Sequence, residues 1–225
     1  MSQQNVQRIN DKVLPVIVSL LTQTDQALAA ATAAVAQGEC IVLPTDTVYG
    51  IGADATSASA VQRLLDAKQR GRDMPPPVLL PNTDRLTEIA KAVPDDAYRL
   101  AQAFWPGALT LILRAGKPLD LGDRPDTIAV RIPAHDGARA LLEATGLLAV
   151  SSANLSGCPP ATNVQAAVDM LGDTVAVYLD GGRTPGETPS TIVDLSNGPG
   201  KVLRQGVISL DALRAICPDI GALRA

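Results

Sequence analysis

The chain has 225 residues, 46% of them hydrophobic, so it can bury the core of one large domain. Its 23 acidic and 19 basic side chains give a net charge of −4 and a pI near 5.0, which argues against the basic face that broad nucleic-acid binding needs. Three widely spaced cysteines suggest neither a disulfide framework nor a zinc site, and they indicate a reducing, cytoplasmic location. No signal peptide or membrane-spanning run is visible, so no membrane association is expected.

The first 22 residues differ in pattern from the rest of the chain. Residues 1–22 are predicted to be an N-terminal extension, and residues 23–225 the main domain. The extension contains the apolar run Val13 to Leu21, which fits a docking strand, a docking helix or a frayed end. From Thr24 onward, helical periodicity alternates with short β-rich runs. This alternation predicts an α/β layer fold with a mixed sheet.

Helices are predicted where apolar residues recur with helical spacing behind a residue that caps or opens a helix. They begin near Thr24, Ser57, Asn82, Pro94, Asp136, Asn163 and Ser209, and the first ends at Gly38. Strands are predicted where short apolar or β-branched runs are bounded by turn residues. They are Cys40 to Leu43, Pro77 to Pro81, Leu109 to Leu113, Thr127 to Ile132, Leu147 to Val150, Val175 to Leu179, Thr191 to Leu195 and Val202 to Leu203.

The segment LPTDTVYGIG, residues 43–52, ends an apolar run in hydroxyls and one carboxylate and then turns on glycines. A predicted helix end follows and carries Lys68, Arg70 and Arg72. Cations facing a strand end lined with hydroxyls suit a ligand with several negative oxygens, because guanidinium groups bind such oxygens through paired hydrogen bonds. A solvated helix end explains the same cations, since they complement the helix dipole.

Two further segments place polar groups beside buried strands. Ser151, Ser152 and Asn154 follow the strand that ends at Val150, where ligands bind in open α/β sheets. An Asx or Ser turn that satisfies its own backbone fits them equally well. Arg131 interrupts the apolar strand Thr127 to Ile132, so it pairs either with a structural carboxylate or with the carboxylate of a ligand.

Familiar catalytic and nucleotide-binding signatures are missing from the sequence. Any Ser-His-Asp or Cys-His arrangement would have to use His135, the single histidine, which fits a solvent-facing helix start better. The chain has neither a GxxxxGK[ST] loop nor a GxGxxG motif after a strand. A nucleotide would therefore have to be held in another way.

Several of these segments together resemble one family. PTDTVYGIGADAT, AKQRGRD, FWPGALTLIL, TIAVRIPAH, SSANLSG, STIVDL and KVLRQG are similar to the serial signatures of the YrdC-like family, the threonylcarbamoyl-AMP synthases. The resemblance extends from roughly Leu28 to Val207 and is closest to the single-domain bacterial form. It implies a twisted mixed open sheet flanked by helices, with a deep cationic cavity, and makes residues 23–225 a YrdC-like catalytic domain.

The resemblance also implies a nucleotidyltransferase reaction. L-threonine, bicarbonate and ATP give L-threonylcarbamoyl-AMP and pyrophosphate. A separate transferase complex then uses the product to modify the adenosine next to the anticodon of tRNAs that read codons beginning with A. ATP is a substrate accompanied by Mg²⁺, and no dedicated metal-ligand cluster is visible in the sequence. No stable nucleic-acid binding is expected.

Site residues follow from the matching motifs. Thr47, Tyr49, Arg131 and Ser190 match the threonine side of the site. The residues that match the ATP side are Lys68, Arg70, Thr127, Ser152, Asn154 and Arg204, and the first two are the expected catalytic cations.

The chain departs from the family at two positions. Met74 replaces a Lys or Asn that would reach the nucleotide, and Pro160 stands where a hydroxyl often contacts ATP. Nearby Arg72 is expected to supply the missing charge.

Two other functions fit the same features. One is an RNA-binding or ribosome-assembly module that uses the cationic concavity, although the acidic pI and the few aromatic residues weigh against it. The other is a domain that forms carbamoyl adenylate from carbamoyl phosphate. Dependence on threonine separates both from the synthase.

Overall fold

A computed structural model describes residues 8–9, 12–13, 15–116, 118–124 and 126–223. Helices α1 to α7 span Thr24–Ala36, Ala58–Ala67, Leu86–Ile89, Asp95–Phe104, Asp136–Thr145, Val164–Leu171 and Leu210–Ile216. Strands β1 to β12 span Arg8–Ile9, Lys12–Val13, Val16–Ser19, Ile41–Leu43, Gly50–Asp54, Val78–Leu79, Leu109–Arg114, Thr127–Arg131, Leu148–Ser152, Val177–Asp180, Thr191–Asp194 and Lys201–Arg204.

Ten strands form one open sheet in the order β12-β11-β7-β8-β6-β9-β5-β4-β10-β3. The sheet is mixed, because it contains parallel pairs such as β7 with β11 and antiparallel pairs such as β7 with β8. Strands β1 and β2 form a separate antiparallel pair. The predicted α/β fold, with a mixed open sheet flanked by helices, is confirmed.

Helices cover both faces of the sheet and bury two layers of core. Ile41 and Leu43 of β4 pack in one layer with residues of α1 and α5, whereas Val42 packs in the other with residues of α2, α4 and α6. This split follows from the two-residue period of a strand. Ala27 and Ala31 of α1 are completely buried, so their small side chains let this helix pack closely on the sheet.

The sequence interpretation predicted a turn at the glycines that the structure places in strand β5. Gly50 pairs with Ser152 of β9 and with Leu43 of β4. A Cβ on Gly50 would lie only 2.6 Å from Cγ1 of Val150, so a larger residue would collide with the neighbouring strand. Glycine here permits close strand packing rather than a turn.

Of the three alternatives for the apolar run of the predicted N-terminal extension, the structure has the docking strand. Val16–Ser19 pairs in parallel with Val177–Asp180 as the edge strand of the main sheet. The run therefore belongs to the domain, because its backbone hydrogen bonds are made with β10. The undescribed part of the predicted extension lies outside this comparison. In the described part of the chain, no helix is long and apolar enough to cross a membrane.

Candidate active site

A cavity of about 580 Å³ opens beside the central strands of the sheet. Residues of β5, β7, β8, β9, β11 and β12 line it. The structure brings most of the predicted site residues to its lining, namely Thr47, Tyr49, Arg70, Thr127, Arg131, Ser152, Asn154, Ser190 and Arg204. Lys68 and Arg72 are not among the lining residues.

Three protein groups hydrogen-bond the guanidinium of Arg131, at the end of β8. Its Nη2 lies 2.7 Å from Oδ1 of Asp46, its Nη1 donates to Oγ1 of Thr47 at 3.0 Å, and its Nε donates to the carbonyl of Gly107 at 2.9 Å. Burial lowers the pKa of Arg131, and the adjacent Asp46 opposes this shift. Of the two partners considered for Arg131, a structural carboxylate is therefore present. A guanidinium has five N–H donors, so donors remain for a ligand carboxylate as well.

Ser190 and Arg204 form a second polar group in the same cavity. Arg204 donates from Nε to the carbonyl of Ser190 and from Nη2 to its hydroxyl, both at 3.0 Å. The Ser190 hydroxyl also lies 2.8 Å from the Thr110 hydroxyl. Strands β11 and β12 are antiparallel neighbours, which brings Ser190, just before β11, close to Arg204 at the end of β12.

Arg70 is the third arginine of the cavity. Its Nη1 donates to Oγ of Ser151 at 2.9 Å. Its Nε is buried and has no hydrogen-bond partner among the described residues. An unmet buried donor is costly unless a ligand or water satisfies it. Arg70 therefore has a donor available for an anionic ligand.

Arg204 is repelled by the other two arginines. Burial lowers the pKa of Arg204, and the charges of Arg131 and Arg70 lower it further. A cluster of like charges in a partly dry cavity is relieved by binding an anion. The geometry thus suits a ligand with several negative groups.

Lys68 is almost completely buried, directly after α2. Its ammonium donates to the carbonyl of Ser152, to the carbonyl of Asn154 at 2.7 Å and to Oδ1 of Asn154 at 3.2 Å. Burial, followed by the charge of Arg70, lowers the pKa of Lys68 to about 8. Lys68 therefore holds residues 151–154, the SSAN segment, from a position outside the cavity lining. Its predicted contact with ATP stays a prediction.

Asn154 is held internally as well. Its Nδ2 donates to the carbonyls of Leu155 and Cys158, at 2.9 and 2.7 Å. The sequence left open whether this segment forms a local turn or binds a ligand. Asn154 makes the local hydrogen bonds of such a turn, and Ser152 and Asn154 also line the cavity. Strand β9 continues through Ser152, two residues beyond its predicted end at Val150.

Arg72 points to surface carboxylates. Its Nη2 pairs with Asp120, its Nε lies 3.5 Å from Asp123, and its Nη1 donates to Gln62 at 3.0 Å. Arg72, which was expected to replace the cation lost at Met74, is therefore paired outside the cavity lining. Met74 and Pro160 both line the cavity.

Tyr49 connects the cavity to the loop Gly181 to Pro189. Its hydroxyl donates to the carbonyl of Gly182 at 2.5 Å and accepts from the backbone of Gly181 at 3.1 Å. Burial raises the pKa of Tyr49 to about 12. Its ring lines the cavity wall, while its hydroxyl fixes the start of the loop.

His135 lies outside the cavity lining and caps α5. Its Nδ1 accepts the backbone N–H of Ala138 at 3.2 Å. Burial lowers its pKa. The structural role expected for this histidine at a helix start is confirmed, although the residue is half-buried.

Residues 33–206 match the Sua5–YciO–YrdC family, which carries the description "Telomere recombination". The chain belongs to this family. All the site residues predicted from the sequence lie within the matched segment.

Two family members named as threonylcarbamoyl-AMP synthases are similar to this chain. A putative threonylcarbamoyl-AMP synthase of Mycobacterium tuberculosis (strain ATCC 25618 / H37Rv) is 45% identical over 196 residues, which cover 86% of this chain and 90% of that protein. The threonylcarbamoyl-AMP synthase of Bacillus subtilis (strain 168) is 36% identical over 205 residues, which cover 89% of this chain and 59% of that protein.

Solved structures of the family share the fold. The structure of P. abyssi Sua5 complexed with L-threonine superposes with a TM-score of 0.85 at 32% identity, covering 93% of this chain and 62% of that one. This chain therefore spans less than two thirds of that protein. E. coli YciO superposes with a TM-score of 0.78 at 26% identity, covering 89% of this chain and 98% of that one.

Several polar residues of this family site were not predicted from the sequence. They are Asp46, which orients Arg131, Thr110, which binds Ser190, and the lining residue Arg124. Ser151 was a predicted ligand-binding candidate, and the structure shows that its hydroxyl accepts a hydrogen bond from Arg70. Asp46 was visible as the one carboxylate of the PTDT segment. Thr110 carried no signal, because its contact with Ser190 joins residues far apart in the sequence.

Proposed function

We propose that this chain is an L-threonylcarbamoyladenylate synthase, a cytoplasmic nucleotidyltransferase that consumes L-threonine, bicarbonate and ATP. The observation that carries the proposal is the convergence of Arg70, Arg131 and Arg204 on one cavity beside the hydroxyls of Thr47 and Ser190. This combination suits a carboxylate and phosphates bound side by side.

In the proposed reaction, Arg131 holds the threonine carboxylate, and Thr47 and Ser190 help to select the amino acid. Bicarbonate first loses hydroxide to give CO₂. The neutral amine of threonine then forms a bond to the CO₂ carbon, and the proton that the nitrogen loses combines with the hydroxide as water. The resulting N-carboxylate attacks the α-phosphorus of ATP, and the bond between that phosphorus and the bridging oxygen to the β-phosphate breaks. Pyrophosphate leaves with the bonding electrons.

The arginines would reduce the repulsion between the N-carboxylate and the phosphates of ATP. Two anions must approach each other, and their repulsion is large in a water-poor cavity. Arg70 and Arg204 would offset that repulsion and stabilise the charge that develops in the transition state. Within the described residues, no group of three or more His, Cys, Asp or Glu side chains could hold a metal ion. We expect Mg²⁺ to accompany ATP as part of the substrate. The product would pass to a tRNA threonylcarbamoyl transferase complex.

Pyrophosphate release tests this function. The purified chain is incubated with ATP, and L-threonine and bicarbonate are each added or omitted. We expect release only with both, together with an adenylate product that contains threonine. Release without threonine would contradict the proposal. Adenylate formation from carbamoyl phosphate without threonine would identify the chain as a carbamoyl-adenylate enzyme instead.

A further inference from the structure

On one wall of the cavity, the run of residues 74–77 carries no cation. Met74 lines this wall and is 49% exposed, and Pro75, Pro76 and Pro77 follow it in the lining. None of these side chains can donate a hydrogen bond to phosphate. A polyanionic ligand on this side would need positive charge from another segment.

Arg72, the nearest cation in sequence, does not supply that charge. Its guanidinium is shared between Asp120, Asp123 and Gln62. Breaking these contacts to reach the cavity would leave two carboxylates without their partner.

The contacts of Arg72 place a different arginine on the wall. The backbone N–H of Asp123 donates to the carbonyl of Arg72 at 2.9 Å, which docks residues 120–124 against residues 72–75. Gly122 permits this approach, since it has a φ of +149° and a Cβ there would lie 2.4 Å from the carbonyl oxygen of Arg72. Arg124 comes two residues later and lines the cavity.

Arg124 has its guanidinium available. The side chain is exposed and makes no hydrogen bond or ion pair with any residue that the structure describes. The backbone N–H of Thr127, another lining residue, donates to the carbonyl of Arg124 at 3.4 Å, which ties the start of β8 to this segment. Each of the three inner arginines is instead hydrogen-bonded to protein groups.

We propose that Arg124 binds the β- and γ-phosphates of ATP, an inference that rests on the proposed synthase function. The threonine carboxylate and the α-phosphate must meet at the inner arginines. The pyrophosphate must then leave toward solvent, and Met74 is a solvent-exposed residue of this wall. Arg124 is an exposed cation on that wall, and its planar fork matches two phosphate oxygens. It therefore takes over the charge that is missing at Met74.

Calorimetric titration with ATP and with AMP tests the assignment. Arg124→Ala should weaken ATP binding roughly tenfold and leave AMP binding unchanged, because AMP lacks the outer phosphates. Arg139→Ala is the matched control, since Arg139 is an exposed arginine of α5 outside the cavity lining. The double variant Arg124→Ala/Met74→Lys should recover ATP binding, because it returns a cation to the same wall.

Two results would overturn the inference. One is unchanged ATP binding by Arg124→Ala. The other is an equal loss for ATP and AMP, which would put Arg124 on the nucleoside or the α-phosphate. These experiments distinguish a failure of the proposed synthase function from a failure of the Arg124 assignment. If Arg124→Ala selectively weakens ATP binding but the native chain releases no pyrophosphate with threonine, the synthase proposal fails and the phosphate contact stands.

Discussion

Arg131 and Asp46 form an ion pair at the cavity, with Nη2 of Arg131 2.7 Å from Oδ1 of Asp46 and side chains that are 9% and 14% exposed. The same carboxylate oxygen accepts the backbone N–H of Ala134 at 2.9 Å. The protein therefore sets the plane of the guanidinium before any ligand binds. Such preorganisation lowers the cost of binding a planar carboxylate.

Replacing Arg131 with lysine should separate the two substrates. Lysine keeps the charge but cannot reproduce bonds to Asp46, Thr47 and Gly107 in one plane. We expect the apparent affinity for threonine to fall about tenfold and that for ATP to change less. Steady-state titrations of both substrates measure this. The control is Arg114→Lys, at the end of β7 and outside the cavity lining. A larger loss for ATP than for threonine would show the assignment to be wrong.

Arg70→Ala should abolish most activity and leave the fold intact. The arginine is half-buried, and its buried Nε has no protein partner among the described residues. Its removal therefore breaks one side-chain hydrogen bond, the one to Ser151. A charged hydrogen bond is worth about 1.5–3 kcal/mol, which predicts a roughly ten- to hundredfold loss of turnover. Pyrophosphate release at limiting ATP measures the loss, and thermal unfolding checks the fold. Arg63→Ala, on α2, serves as the control. Near-normal turnover would remove Arg70 from the reaction.

Lys68→Met should destabilise the protein, because three oxygens of the SSAN segment lose their donor. The destabilisation should also depend on pH. The folded-state pKa of Lys68 is lowered from 10.5 to about 8. Between these values the unfolded chain binds more protons than the folded one, so the native protein gains stability from this group as pH rises.

Denaturant titrations of wild type and Lys68→Met at several pH values test this coupling. The difference in unfolding free energy between the two proteins should grow from about pH 8 to pH 10, since the variant lacks the titrating group. Lys91→Met, at an exposed lysine, should show no such trend. A constant difference across this range would mean that Lys68 titrates normally in the folded protein.

The loop Gly181 to Pro189 should close over the cavity when both substrates bind. Residues 185–188 are exposed, yet Glu187 and Pro189 line the cavity just before Ser190. Closure would exclude water from a reactive mixed anhydride. Hydrogen exchange within residues 181–190 should slow when threonine and a non-hydrolysable ATP analogue are present together. The exposed residues 197–199 are the internal control. Equal exchange with and without ligands would exclude a lid.

Tyr49→Phe should release the start of this loop. The variant keeps the ring on the cavity wall but loses the bonds to Gly181 and Gly182. We expect faster exchange at residues 181–183 in the ligand-free protein. Tyr178→Phe is a matched control, because its hydroxyl donates to the carbonyl of Gly172 instead. Unchanged exchange in Tyr49→Phe would show that the hydroxyl does not fasten the loop.

Local sequence signals predicted most of the helices. Ser57 and Asn163 cap α2 and α6 through their side chains, as predicted, and α5 spans Asp136–Thr145. These features could be predicted because caps and helical periodicity are set by residues a few positions apart. Strand β5 was missed and strand β3 was only one of three alternatives, because a glycine-rich strand and an edge strand are recognised only from the strands beside them.

The sequence by itself determined the α/β fold, the family and the group of residues from which the cavity is built. Tertiary structure alone decided what each cation does. Lys68, Arg70 and Arg72 lie within five residues, yet Lys68 binds the SSAN backbone, Arg70 faces the cavity and Arg72 pairs with Asp120 and Asp123. Their spacing is compatible with all these roles. The choice depends on which oxygens the rest of the chain brings within hydrogen-bonding distance, since a cation is stabilised by its nearest acceptors.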